Sequence, residues 1–398
     1  MKPGNSLLSA SGTTIFEAMS ALAREHAAVN LGQGFPDDRG PIELRRAAAE
    51  YVVDGHNQYP PMMGLPALRQ AVAAHDRRCY GLDVDWQTEV LVTSGATEAL
   101  LDAFLGLLEA GDEVVLLEPA YDTYAPVIRR LGAVPRSVRL VPPAWSLPRE
   151  ELAAAFSPRT KLLVLNSPMN PAGKVFARDE LAFLASLLEQ HDALAVCDEV
   201  YEHLVFGDAA HIPLMTLPGM RERVLRIGSA GKTFSLTGWK VGYITACPAL
   251  LRPITKAHQF VTFTTPPNLQ HAVALGLGLP DAYFRGLGAP LARSRDRLIA
   301  GLAGLDVSVL PCDGTYFLVI DAGAWLLPGE DDIALCRRLV VEAGVVLIPM
   351  SAFYEAAPPR HLVRACFCKA DATIDEAVRR LAAWRGRGGG AVGGAGGA

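Results

Sequence analysis

Ser229-Ala230-Gly231-Lys232-Thr233-Phe234-Ser235-Leu236-Thr237-Gly238-Trp239-Lys240-Val241-Gly242-Tyr243 is the stretch on which the reading of this chain turns. It joins two apolar, strand-like runs, 224–227 and 241–246, and sets Lys232 in the turn between them. A lysine held at a strand end by small and hydroxyl neighbours can condense with an aldehyde. Upstream, Asp198 closes the apolar run 193–198 (Ala-Leu-Ala-Val-Cys-Asp), where a carboxylate can pair with a pyridine nitrogen. A Schiff-base lysine with such a partner is the pattern of pyridoxal 5'-phosphate chemistry. Two rival readings exist. Gly231-Lys232-Thr233 matches the end of a nucleotide phosphate loop, but that pattern needs glycine where Arg226 stands. The other is a solvated turn lysine with no chemistry.

Outward from this turn, apolar runs of four to eight residues recur at 89–93, 112–118, 160–166 and 193–198, with helical patterns such as 96–109 and 178–190 between them. That alternation predicts an α/β domain with a mainly parallel sheet covered on both faces. From 248 to 300 the pattern is helical, punctuated by Pro266-Pro267 and Pro290. Short strands at 315–321, 345–348 and 362–367, with a helix at 331–342, predict a second, smaller α+β unit. The expected division is an N-terminal arm and small-domain segment at 1–45, a large cofactor-binding domain at 46–285, a small C-terminal domain at 286–385 and a flexible Gly-rich tail at 386–398.

The 398 residues are half hydrophobic and carry a formal net charge of −5 with both signs interspersed, so neither disorder nor a nucleic-acid or membrane-surface role is expected. No apolar run approaches the roughly 18–20 residues that span a bilayer, and Met1-Lys2-Pro3-Gly4-Asn5 lacks a signal-peptide core. The seven cysteines are scattered and odd in number, which predicts reduced thiols in a cytoplasmic protein. Cys366 and Cys368, two apart on one strand segment, read as core packing, and no metal site is expected.

With these segments in place, the chain resembles the class I/II, fold-type I aminotransferases, in particular the kynurenine, glutamine and methionine aminotransferase branch. The resemblance covers about residues 10–385. It rests on Asn30-Leu31-Gly32-Gln33-Gly34-Phe35-Pro36-Asp37, Asn57-Gln58-Tyr59, Thr93-Ser94-Gly95-Ala96-Thr97-Glu98-Ala99, Asn166-Ser167-Pro168-Met169-Asn170-Pro171-Ala172-Gly173, Asp198-Glu199-Val200-Tyr201, the lysine block and Arg364-Ala365-Cys366-Phe367, in this order. It implies a mostly parallel seven-stranded sheet in the large domain and a homodimer.

The resemblance also implies roles. Gly95, Ala96 and Thr97, at a strand-to-helix turn suited to an anion, would dock the cofactor phosphate with Ser229 and Lys240. Tyr59 would reach the partner's phosphate. Asp198 would keep the pyridine nitrogen protonated, Tyr121 would stack on the ring, and Tyr201 and Asn170 would bond its phenolic oxygen. Arg364, a charge in an apolar strand, needs an anion; the family provides the substrate α-carboxylate, with Asn170 and the Gly34 backbone completing the clamp. An internal salt bridge is the alternative. Phe16, Tyr59, Tyr121 and Phe263 are the side-chain pocket candidates.

These features predict transfer of an amino group from a large neutral or aromatic amino acid (methionine, phenylalanine, glutamine or a kynurenine-like donor) to a 2-oxo acid. Thr264, where some kynurenine-active relatives have histidine, weighs against kynurenine. The rivals are a β-lyase acting on cysteine S-conjugates or cystathionine, and a regulatory protein on the same scaffold. The intact Lys232, Asp198 and Arg364, with no room for an N-terminal helix-turn-helix domain, speak against the second.

Overall fold

Strands buried on both faces build the centre of the molecule, because their near-continuous valine and leucine runs leave no face for water. The computed structural model describes residues 4, 5, 9 and 12–390. After β1 (Val29–Asn30) come β2 (Val90–Thr93), β3 (Glu113–Glu118), β4 (Val134–Arg139), β5 (Thr160–Asn166), β6 (Leu194–Asp198), β7 (Val224–Ser229) and β8 (Gly242–Thr245). The last seven form one sheet in the order β2-β8-β7-β6-β5-β3-β4. Its strands are parallel except β8, which runs antiparallel to both β7 and β2. The expected seven-stranded, mostly parallel α/β sheet is present. β4 escapes the apolar-run pattern because it is an edge strand with alternating exposure and Pro135, Arg136 and Ser137 along it.

The smaller unit contains β9 (Ser308–Val309), β10 (Phe317–Asp321), β11 (Val345–Val346), β12 (Ile348–Pro349) and β13 (Leu362–Cys366). Four of them form an antiparallel sheet in the order β12-β13-β10-β9. β11 pairs in parallel with β1, so the segment after residue 29 is stitched to the C-terminal third. The helix expected at 331–342 ends sooner: Asp332–Arg338 passes into a π turn, Leu339–Ala343, which Gly344 closes at φ 67°. Gly386 is the last residue of helix Asp371–Gly386, and Gly390 is buried beside Trp325; residues 391–398 lie outside the described residues.

One polar cluster inside the large unit bears on the site. Arg226 of β7, the residue that breaks the phosphate-loop pattern, is buried and donates to Glu199 (2.6 Å), Asp76 (2.6 Å) and Glu202 (2.9 Å). Glu199 and Glu202 bracket Val200 and Tyr201 in the turn after β6, so this guanidinium anchors the segment that carries Asp198 and Tyr201.

Candidate active site

Asn166, Asp198 and Ser229 are the last residues of the parallel neighbours β5, β6 and β7, so the sheet brings them to one edge. Carboxyl ends of strands are where open α/β sheets bind ligands. A cavity of about 360 Å³ lies there. Phe16, Gly34, Gly95, Ala96, Thr97, Tyr121, Asn170, Asp198, Tyr201, Ser229, Lys232, Lys240 and Arg364 all line it. Tyr59 and Phe263 do not. They pack edge-to-face on each other at 5.7 Å, with Tyr59 83% exposed, because Phe263 follows the end of helix Pro248–Val261 at φ 70°.

Lys232 sits in the single turn Ala230–Thr233 that follows β7. Its Nζ donates to the Tyr316 hydroxyl at 2.9 Å, and that hydroxyl donates to the Gly34 carbonyl at 2.8 Å. Burial lowers the amine's pKa from its ordinary value of 10.5, although Asp198 pulls the other way. This environment is incompatible with a solvated turn lysine.

Asp198 is buried, and its Oδ2 accepts from the Tyr124 hydroxyl at 2.5 Å. Its main-chain carbonyl accepts from Asn166 Nδ2 at 2.8 Å, which ties β5 to β6 at the site. Burial raises its pKa, and its second oxygen, Oδ1, is buried with no hydrogen-bond partner. Tyr201 is also buried, and desolvation pushes its phenol well up.

The opposite wall is the start of helix Gly95–Leu107. Gly95 adopts φ 78°, and a Cβ there would stand 3.2 Å from Lys240 Cε, so only glycine lets the turn and the ammonium come this close. Lys240 Nζ lies 3.4 Å from the Thr97 hydroxyl, leaving an ammonium beside the helix's free amides.

Arg364 of β13 is 1% exposed, yet its partners are neutral: Asn170 Oδ1 at 2.9 Å and the Gly32 carbonyl at 2.8 Å. Its Nε has no partner, and burial takes its pKa down to about 10. The guanidinium lies 3.9 Å from the Phe317 ring centroid, with Phe16 and Phe353 at 5.1 Å. The internal salt bridge weighed from the sequence is not made among the described residues. Gly34 faces the cavity with its carbonyl accepting from Tyr316, and the Gly32 carbonyl accepts from the arginine.

Sequence reasoning missed Tyr316, Tyr124, Phe317 and the anchoring use of Asn166. Asn166 opens the quoted 166–173 block and Tyr124 follows Tyr121 by three residues, so both had a local signal. Tyr316 and Phe317 had none, because they arrive from the other unit.

This chain belongs to the aminotransferases of class I and II, whose family profile matches residues 27–381. It is accordingly a pyridoxal-phosphate-dependent transferase acting on an amino acid and a 2-oxo acid. Among its relatives is the "Probable N-succinyldiaminopimelate aminotransferase" of Mycobacterium tuberculosis, 45% identical over 93% of this chain and 95% of the relative. The solved structure of the M. tuberculosis N-succinyldiaminopimelate aminotransferase superposes with a TM-score of 0.93 over 96% of this chain and 100% of that one, at 45% identity. A methionine aminotransferase of Escherichia coli is 41% identical over 93% of this chain and 95% of its own length. The crystal structure of an Escherichia coli protein identified as having a methionine aminotransferase function gives a TM-score of 0.92 over 96% of this chain and 99% of that one, at 40% identity. Human kynurenine–oxoglutarate transaminase 1 is 38% identical over 92% of this chain and 94% of its own.

The cavity fits that cofactor. Asp198 Oδ1 is an orphaned acceptor available to a protonated ring nitrogen, and the Gly95 turn beside Lys240 is an anion cradle that a Cβ would fill. When bound, pyridoxal phosphate supplies an electron sink for the pair left behind as a proton leaves Cα.

Proposed function

We propose that this enzyme moves the amino group of a large neutral or aromatic L-amino acid, such as methionine, phenylalanine, glutamine or a kynurenine-like donor, to a 2-oxo acid, with Lys232 forming the Schiff base. The observation that carries this reading is the inventory of cations. Among the described residues, the cavity's cationic side chains are Lys232, Lys240 and Arg364. One amine is committed to the cofactor aldehyde, one to its phosphate and the guanidinium to the α-carboxylate. A distal carboxylate would meet Phe16, Tyr121 and Phe317 without a counter-charge. Relatives named as methionine and kynurenine aminotransferases support the same donor class.

In this reading the Arg364 guanidinium holds the α-carboxylate bidentately, and Asn170 steadies it. The Lys232 amine, its pKa lowered by burial, would take the proton from Cα and deliver it to the carbon of the cofactor's aldehyde group. Asp198 would hold the proton on the cofactor's ring nitrogen, while Tyr201 and Asn170 would bond its phenolic oxygen and Tyr121 would stack on the ring. The amides of Gly95, Ala96 and Thr97, with Ser229 and Lys240, would hold the phosphate.

A homodimer completes the site. Tyr59, Phe260, Val261 and Phe263 form an exposed apolar patch that a second copy would cover, bringing Tyr59 to the partner's phosphate. The large domain is taken as 46–285, with 1–45 and 286–385 forming the small one. A cytoplasmic location fits the seven free cysteines; among the described residues, no helix is long and apolar enough to cross a membrane.

The test adds single L-amino acids to the pyridoxal-phosphate enzyme without any oxo acid. Methionine or phenylalanine should convert the cofactor to its aminated form with stoichiometric 2-oxo acid. Strong preference for N-succinyldiaminopimelate or aspartate would overturn the neutral-donor assignment. Pyruvate from a cysteine S-conjugate, with no aminated cofactor, would favour the lyase.

A further inference from the structure

Behind the phosphate wall lies a buried ion cluster that the roles above leave unused. His258, fully buried on helix Pro248–Val261, places Nδ1 3.1 Å from Glu98 Oε1 and 3.2 Å from Asp102 Oδ2, both on helix Gly95–Leu107. Its Nε2 lies 3.2 Å from the Met62 carbonyl. Nε2 can satisfy that carbonyl only by donating, and Nδ1 can satisfy two carboxylates only by donating, so the ring carries both protons and a positive charge. Burial opposes that charge, but the bonds to Asp102 and Glu98 outweigh it and raise the pKa to about 9.

The two carboxylates are not equivalent. Glu98 uses its other oxygen, Oε2, to accept the backbone N–H of Ser94, the residue that precedes Gly95. Ser94 is further pinned by its hydroxyl, 3.2 Å from that of Thr265. Asp102, one turn along, bonds to His258, and its Oδ1 has no hydrogen-bond partner among the described residues.

We propose that His258 and Glu98 are positioning residues for phosphate recognition: the imidazolium fixes the Glu98 carboxylate, and the carboxylate fixes the Ser94–Gly95 turn whose following amides face the phosphate. The Met62 bond extends the same control to the segment that follows Tyr59. Asp102 stabilises the imidazolium but makes no hydrogen bond to the turn among the described residues. The inference rests on Gly95–Thr97 being the phosphate cradle.

The asymmetry supplies the experiment. Glu98→Gln and Asp102→Asn each remove one negative charge from the same ion cluster and should lower thermal stability to a similar degree. Only Glu98→Gln should loosen the cofactor, raising the dissociation constant of pyridoxal phosphate tenfold or more and shifting the ³¹P resonance of the bound phosphate. Asp102→Asn should stay within about twofold of the parent in affinity, with an unshifted resonance. Equal changes in the two variants, or none in Glu98→Gln, would overturn the proposal. If Glu98→Gln does not fold, His258→Gln, which keeps a donor without the charge, is compared with Asp102→Asn by the same readouts. Parent enzyme that forms no Schiff-base absorption with pyridoxal phosphate refutes the underlying reading; normal parent binding with indistinguishable variants refutes only this inference.

Discussion

Replacing Arg364 with alanine isolates the term common to every substrate. The side chain is fully enclosed, stacked on Phe317, and oriented by Asn170 and Gly32, so its geometry is set before substrate arrives. A guanidinium–carboxylate pair makes two charge-assisted hydrogen bonds, each worth about 1.5–3 kcal/mol. Losing both removes about 3–6 kcal/mol of binding, and at 1.36 kcal/mol per decade this lowers kcat/KM by roughly 10²- to 10⁴-fold. The structure favours the lower half of that range, because truncation also removes the burial cost of a cation whose only protein partners are neutral. The assay is kcat/KM for methionine, phenylalanine, glutamine and alanine with one oxo acid held saturating. The α-carboxylate is shared by all four, so the fold-loss should agree within about threefold across the series. A loss confined to one side-chain class would refute the reasoning and move Arg364 into the side-chain pocket.

Tyr124→Phe deletes the 2.5 Å bond to Asp198 and should lower kcat about tenfold, as expected for one hydrogen bond to a charged group; an unchanged kcat would mean that the backbone frame alone orients the carboxylate. Glu113 offers a stability test. The bond from Arg136, helped by those from Ser157 and Arg159, holds its carboxyl down at about 2, against 4.5 ordinarily. A depressed carboxyl stabilises fully above its unfolded value and loses that contribution as the pH falls through the folded one. The gap in urea midpoint between the parent and Glu113→Gln should therefore be widest above about pH 4.5 and close towards pH 2. A gap independent of pH would remove Glu113 from the acid response.

Legibility from sequence followed burial. β5 was read at its full extent because its apolar run is buried almost throughout, whereas β4, with arginine and proline on an exposed edge, carries no such run. Asp198 is readable because it is the polar stop of the apolar run that forms β6. Less visible were contacts that depend on how the two units meet. Nothing near Tyr316 announces that its hydroxyl sits on an amine 84 positions earlier in the chain. The arginine's carbonyl partner, Gly32, lies 332 positions away in the chain and has no local signal either.

That hydroxyl has a mechanical consequence. It belongs to the residue just before β10, accepts from the amine of the large unit, and donates its single proton to the carbonyl of the segment that β1 begins. A phenol that accepts from an amine favours the ammonium form; one whose proton is released to point back favours the free base. If the segment at Gly34 withdraws, the proton loses its acceptor and can turn towards Lys232. The position of one polypeptide segment would thereby bear on the basicity of a nitrogen two hydrogen bonds away. In Tyr316→Phe, that dependence should vanish, leaving the amine's titration indifferent to where the segment lies.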